Sequence, residues 1–408
     1  MFIKNLVVKN IALLIGGGIS AQLITMLSLP IIVRLYGPDV YGQFSIISSM
    51  AMVFSAFLGF SLPIALLVEK DKNKVSKIID TIAKLLLLWL IFGVLVVAPF
   101  FWIAPESYTK DIGNIFTALV MGIVMVAFQV VQNSLNIQER YLDLGKLRVL
   151  NAAISSGLKI LAGLFIVTVS ILVASHILLM LTFSFILLSG YFQKNFLLSV
   201  RLGDYSDFII NRSSQETLNA ISQAAPVLFV GFYFGDNFAA FVGMAIVLLS
   251  LPSTMIATTV NNLLYPKLKT LSLVDGTRLV RRIFIFLALL GSLTFGLMLL
   301  IIDPLVLYVF GPGWEVTGYV VFWFGLSYVF QMANKPHVAL CTGLNLQHVM
   351  LENEVLGCAA KCLLIIVILL TESPFETFIK WYGCLALGMY FILIWKIERG
   401  FLRNESPS

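Results

Sequence analysis

Apolar stretches long enough to cross a bilayer recur from one end of this 408-residue chain to the other. A crossing takes about 20 largely apolar residues. Read at that length, the sequence carries spans at 11–34, 43–68, 82–103, 113–135, 150–170 and 172–193, then at 216–234, 239–264, 283–302, 316–340, 354–371 and 376–395. The expected fold class is all-α and integral to the membrane, with about 12 transmembrane helices. Charged residues make up only 12% of the chain, against roughly 25% in soluble domains, so no stretch remains for a folded soluble domain. The fifth and sixth spans are the hardest to separate, since only Ser170 and Ser175 mark a turn within 169–175.

The basic residues set an orientation. Of 27 Lys and Arg, 21 fall in alternate connectors, three (Arg34, Lys110, Lys380) on the opposite side, and three (Lys159, Lys335, Lys361) inside spans. Lysine and arginine concentrate in cytoplasmic loops, so both termini are expected in the cytoplasm. The connector 70–84, with Lys70, Lys72, Lys74, Lys77 and Lys84, reads as an ordinary cytoplasmic loop touching anionic lipid. The same distribution argues against nucleic acid as the partner of the +6 net charge, because the cations follow topology instead of gathering on one face. The longest external connectors, 104–111 and 303–315, are too short for an external catalytic domain. The first apolar run is too long for a signal-peptide core and lacks a small-residue cleavage pattern, so it reads as a retained span.

Two lysines stand within otherwise apolar spans 202 residues apart, Lys159 and Lys361. The same offset relates Gln129 to Gln331, Lys194 to Lys396 and Arg201 to Arg403. A charge at membrane depth costs about 2.5–3.5 kcal/mol on insertion scales and marks function by default. Repeated halves place transport sites at their interface. If its span starts near 150, Lys159 sits about nine residues in, near mid-membrane, and Lys361 sits comparably deep. A lysine stem of about 6 Å is too short to snorkel from there. The alternative is a structural pair with an acid, yet Glu352 and Glu354 read as nearer the end of their span. An anion-binding pair facing a cavity fits better, and a diphosphate or acidic sugar is the matching ligand.

Other positions have two readings each. Arg34 either anchors the end of the first span or lines a cavity mouth. Lys335-Pro336-His337 either breaks the tenth span, as charged broken helices in transporters do, or ends a shorter one. Gln129 and Gln331, with Gln132, Asn133, Asn219 and Gln223, are either helix–helix glue or partners for sugar hydroxyls. Gly16-Gly17-Gly18 reads as a site of close helix approach. Cys341, Cys358, Cys362 and Cys384 read as small hydrophobes, and the Cys358/Cys362 pair offers too few ligands for structural zinc. No G-x-x-x-x-G-K-[ST] motif occurs, and the sequence points to no cofactor.

Aromatic-glycine turns punctuate both halves: Tyr36-Gly37-Pro38-Asp39, Phe234-Gly235-Asp236 and Phe310-Gly311-Pro312-Gly313-Trp314. The pattern Pro30-x-x-x-Arg34-Leu35-Tyr36-Gly37-Pro38-x-x-Tyr41-Gly42-x-Phe44 resembles the N-terminal signature of polysaccharide repeat-unit flippases, the Wzx O-antigen translocases and their capsule relatives. Their superfamily, MOP, also holds MATE drug exporters and lipid II flippases. Pro226-x-Leu228, Leu251-Pro252, Tyr265-Pro266 and Phe310-Gly311-x-x-Trp314-x-x-x-Gly318 extend the resemblance over nearly the whole chain. It implies two pseudo-symmetric six-helix bundles, 1–200 and 201–408, around a central cavity open alternately to each side. It implies a non-enzymatic flippase of the bacterial inner membrane, moving undecaprenyl-pyrophosphate-linked oligosaccharide to the outer leaflet for O-antigen, lipopolysaccharide or capsule. Its implied partners are membrane lipids, a polysaccharide polymerase and a chain-length regulator. Substrate-binding candidates are Lys159, Lys361, Arg34, Lys335, Gln129 and Gln331. A MATE-like multidrug or cation antiporter is the alternative, but it calls for buried carboxylates where this chain buries lysines. A membrane polymerase or ligase calls for a large external loop, which is absent.

Overall fold

A computed structural model of the protein describes residues 2–69, 71–103, 106–189, 212–260, 264, 268, 273–343 and 347–405. Every regular element among them is helical: α1 (Phe2–Leu58), α2 (Leu62–Val68), α3 (Lys72–Ile103), α4 (Glu106–Ile137), α5 (Tyr141–Gly163), α6 (Val169–Ser189) and α7 (Ser213–Tyr233). There follow α8 (Asp236–Thr259), α9 (Leu273–Leu299), α10 (Ile302–Phe310), α11 (Val316–Ala333), α12 (Lys335–Gly343), α13 (Gln347–Leu370) and α14 (Phe375–Glu405). Nine of the described helices are long and apolar enough to cross a membrane. Their outward faces match that solvent: Leu289, Leu293 and Leu297, one turn apart on α9, are 68%, 62% and 57% exposed. A helix satisfies its own backbone, so it can present such a stripe to lipid.

The aromatic-glycine motif does what its chemistry predicts. Along α1 the chain leaves helical geometry at Gly37 (φ 68°, ψ 173°), and Pro38 follows directly. That conformation is nearly closed to a residue bearing a Cβ. Gly235 and Gly311, at φ 105° and 91°, stand before α8 and after α10. Beyond Gly311 the Glu315 carboxylate accepts the Gly313 N–H, and its own backbone N–H and that of Gly313 hold it below the usual carboxylate range.

By packing, the chain divides into two compact units, Met1–Gly231 and Phe232–Ser408. The expected junction at 200/201 lies outside the described residues, as do Lys194, Arg201, Lys70 and Tyr265-Pro266.

In the first unit the most extensive pairing joins α1 to α5. Gly17 meets the backbone of Gly145 where a Cβ would overlap it, and Ser28 Oγ donates to Ser156 Oγ at 2.9 Å. Small residues let membrane helices approach this closely. Beyond Gly37, Ile47 and Ala51 of α1 bury against Ala118 and Met121 of α4 and Val173 of α6. Leu62 and Leu66 of α2 pack with Ile78, Ile79 and Ile82 of α3 and Val126 and Val130 of α4.

In the second unit, the buried Trp314 meets Phe241 of α8 edge-on, and Phe238 packs at a tilt against Phe375 at the start of α14. A separate cluster joins Val280 of α9, Ala339 and Leu340 of α12, and Leu393 and Ile397 of α14.

Several expected boundaries are corrected. The helix that carries the expected fifth span runs from Tyr141 to Gly163, and its turn into the sixth is 164–168, not 169–175. The second span is interrupted at 59–61. Lys84 belongs to α3, where it is buried, instead of to a loop. The expected connector 303–315 contains α10, whose Ile302, Val306 and Phe310 are buried.

Candidate functional site

Lys159 is held by three helices of the first unit. Its Nζ lies 3.2 Å from His176 Nδ1 of α6 and 5.0 Å from the centre of the Phe44 ring of α1. Phe44 meets His176 edge-on at 5.9 Å. Tyr36, 3% exposed, donates its hydroxyl proton to the Lys159 carbonyl at 2.9 Å. An ammonium group has no lone pair, so Lys159 donates and neutral His176 accepts on Nδ1, carrying its own proton on Nε2. Among the described residues no carboxylate forms an ion pair with Lys159. Its positive charge is therefore screened by an imidazole and a π-face and cancelled by neither.

The second unit gathers three expected residues. Lys361 of α13 has its Nζ 5.4 Å from the Tyr382 ring centre on α14. Glu354, seven residues earlier on the same helical face, interacts electrostatically with Lys361 and with Lys335, the first residue of α12. Gln331 of α11 lies near Tyr390 of α14, which interacts electrostatically with Tyr328. The sequence places Glu354 too near the helix end to matter; the seven-residue spacing puts it two turns from Lys361 instead. Two lysines thus face the Glu354 carboxylate. Lys335 is reached through the break that the sequence indicated: α11 ends at Ala333, and Pro336 occupies the first turn of α12, where a missing N–H costs little.

The two half-buried lysines, Lys159 and Lys361, do not occupy matching places along their helices. Lys159 is 18 residues from the start of α5 and four from its end, about 27 and 6 Å along the axis. Lys361 is 14 residues from the start of α13 and nine from its end, about 21 and 14 Å. The mid-span placement of Lys159 rested on starting the helix after its charged first turns.

Arg34 is exposed on α1, one turn before the Gly37 break. Gln129 is exposed on α4 and lines a cavity of about 290 Å³ in the first unit.

The hydropathy reading missed several polar contacts. Lys84 and Asp80, both buried on α3, pair at 2.6 Å. Arg148 Nε donates to Gln132 Oε1 at 3.0 Å within the first unit, where a loop cation was expected. In the second unit His337, fully buried, has Nε2 3.3 Å from Glu398 Oε1, and Arg281 pairs with the same carboxylate. His176 carried a signal: it is the lone ionisable side chain in the run Ile171–Leu188.

The sequence profile of a family described as polysaccharide biosynthesis protein matches residues 31–318. No curated protein matches the chain. Among solved structures, lipid II flippase MurJ in an inward closed conformation superimposes with a TM-score of 0.71 at 11% identity, covering 94% of this chain and 87% of that one. A MATE transporter of Vibrio cholerae gives 0.54 at 11% identity, covering 98% and 97%. A MOP superfamily transporter from Pyrococcus furiosus, described by the reverse polarity of its binding pocket, gives 0.54 at 13% identity, covering 98% and 97%. At these identities the likeness is one of fold, an all-helical architecture.

Proposed function

Because the chain belongs to the polysaccharide biosynthesis protein family and has the fold shared by MurJ and MATE transporters, we propose that it is a flippase for undecaprenyl-pyrophosphate-linked oligosaccharide. It carries O-antigen or capsule repeat units from the cytoplasmic to the outer leaflet of the bacterial inner membrane. Its chain crosses that membrane twelve times with both termini in the cytoplasm, and polymerase and chain-length regulator act on its product.

One observation carries the choice of cargo: Lys159, in the apolar C-terminal part of α5, is a cation whose close partners, His176 and Phe44, are neutral. A charge left uncompensated in a low-dielectric setting favours an anionic guest, and a diphosphate supplies one. The Lys335–Glu354–Lys361 cluster supports the same sign of cargo. A carrier of cationic drugs needs the opposite sign at these places. In the mechanism the lysines take the diphosphate, amides and tyrosines take the glycan, and the prenyl chain stays in lipid. Alternating access to the two leaflets then moves the headgroup across.

The test is surface polysaccharide from cells carrying Lys159→Ala, Lys361→Ala and both together. The reading expects loss of surface polymer and accumulation of the lipid-linked intermediate. Normal polymer from a well-expressed double variant overturns the assignment of these lysines.

A further inference from the structure

The break between α1 and α2 opens onto a cavity that the lysine sites do not use. Residues 59–61 interrupt the helix, and Phe60 and Ser61 have φ of 46° and 52°, a conformation side-chain-bearing residues rarely adopt. Left-handed strain of this kind costs about 1–3 kcal/mol per residue and clusters at functional sites. Non-helical backbone at membrane depth persists only where protein buries it or it lines a polar cavity. Here it does the latter: Gly59 and Ser61 form one wall of the 290 Å³ cavity, and Gln129 of α4 and Glu216, Asn219 and Gln223 of α7 form the others. All belong to the first unit.

The chemistry of the lining narrows the guest. Glu216 is already engaged on both oxygens: Ser61 Oγ donates to Oε2 at 2.7 Å, and Arg212 Nε donates to Oε1 at 3.2 Å. Gln223 Nε2 donates to Asn219 Oδ1 at 3.0 Å, which leaves the Asn219 amide N–H and the Gln223 carbonyl for a ligand. Among the described residues none hydrogen-bonds the Gln129 amide. Among the described lining residues there is no cation, and Arg212 beside the wall is already paired with Glu216, so a phosphate or uronate finds no counter-charge to engage. No aromatic ring among them lines it either, so a quaternary or drug-like cation lacks its usual cage. What remains is a guest whose groups both donate and accept, presented beside small apolar surface such as Ala56 and Ile64. Ring hydroxyls of an uncharged sugar have that character.

Resting on the flippase reading, we infer that this cavity is a subsite for a neutral sugar of the glycan headgroup, separate from the lysines that take its diphosphate. The carboxamides of Gln129, Asn219 and Gln223 read the hydroxyl pattern, and with Glu216 and Arg212 engaged with each other the described wall offers no counter-charge to an acidic sugar.

The experiment uses the full chain in lipid nanodiscs and saturation-transfer NMR with three probes: methyl β-glucoside, methyl β-glucuronide, and undecaprenyl diphosphate bearing no sugar. The neutral glycoside is expected to bind and the glucuronide not to. Asn219→Leu, and the isosteric Gln129→Glu, are expected to weaken glycoside binding about tenfold, the worth of one hydrogen bond, while undecaprenyl diphosphate binds as before. Unchanged thermal unfolding of Gln129→Glu separates this effect from misfolding. Equal binding of glucuronide, or glycoside affinity unmoved in both variants, overturns the subsite. Undecaprenyl diphosphate bound with no glycoside signal overturns the subsite alone; loss of both signals in the wild-type chain overturns the flippase reading with it.

Discussion

Lys159 Nζ donates to His176 Nδ1 across 3.2 Å, joining α5 to α6 through a cation and a neutral imidazole. His176 is thus a positioning residue for the ammonium. His176→Gln keeps a carbonyl acceptor in reach, whereas His176→Phe removes it. A hydrogen bond to a charged group is worth about 1.5–3 kcal/mol, so His176→Phe is expected to slow translocation of a lipid-linked glycan about tenfold or more. His176→Gln retains most of the rate. Transport assays on the two variants at matched expression check the difference.

The approach of Gly17 to Gly145 gives a packing prediction. Gly17→Ala drives a methyl into the Gly145 backbone and is expected to cost about 1–3 kcal/mol. Gly16→Ala has no neighbour within 4 Å and, in a helix interior, is neutral or stabilising by up to about 1 kcal/mol. Thermal unfolding in detergent reads both.

These glycines belong to what the sequence made legible. The apolar runs, the aromatic-glycine turn at Gly37, the small-residue approach at Gly17 and the break before Lys335-Pro336 each follow from local chemistry that tertiary context does not override. The misses have two physical causes. Hydropathy ends a span at its first charge, yet a charge can enter a bundle when a neighbour satisfies it. Arg148 bonds Gln132 and Lys84 bonds Asp80, so α5 and α3 begin earlier than their apolar cores. Conversely, a turn built of Leu164, Phe165, Ile166 and Val167 contains no breaker and is invisible to residue type. The candidate cluster was half legible: lysines stand out in apolar runs, whereas His176 and Glu354 gain meaning only once helix register puts them beside those lysines.

The buried pair on α3 predicts non-additivity. Asp80 is 0% and Lys84 3% exposed. Asp80→Asn or Lys84→Met alone leaves a buried charge without this partner, at a cost of about 3–5 kcal/mol. Replacing both is expected to cost clearly less than the two single losses combined. A double-mutant cycle on thermal unfolding measures the coupling, and strict additivity contradicts it.

Gly37 predicts a backbone effect separable from packing. A methyl group added there would meet nothing within 4 Å, yet its φ is 68°. Gly37→Ala is expected to cost about 1–3 kcal/mol through strain alone. Gly388→Ala, equally uncrowded and helical, serves as the comparison in the same unfolding measurement.

Glu354 faces both Lys335 and Lys361 electrostatically, and this fixes the sign of a binding prediction. Glu354→Gln removes this negative charge and is expected to tighten undecaprenyl diphosphate binding about fivefold, the scale of a 1 kcal/mol charge interaction. Lys361→Ala weakens it in the same titration. Both changes shrink as salt rises.

The central claim is that the cargo is an anionic lipid-linked glycan. Its most direct test is a leaflet-accessibility assay with the purified chain in proteoliposomes, comparing undecaprenyl-pyrophosphate-linked oligosaccharide with the cationic dye ethidium. The account predicts that the lipid-linked glycan crosses in a Lys159- and Lys361-dependent manner while ethidium does not. Transport of ethidium with the glycan left in its original leaflet would contradict it.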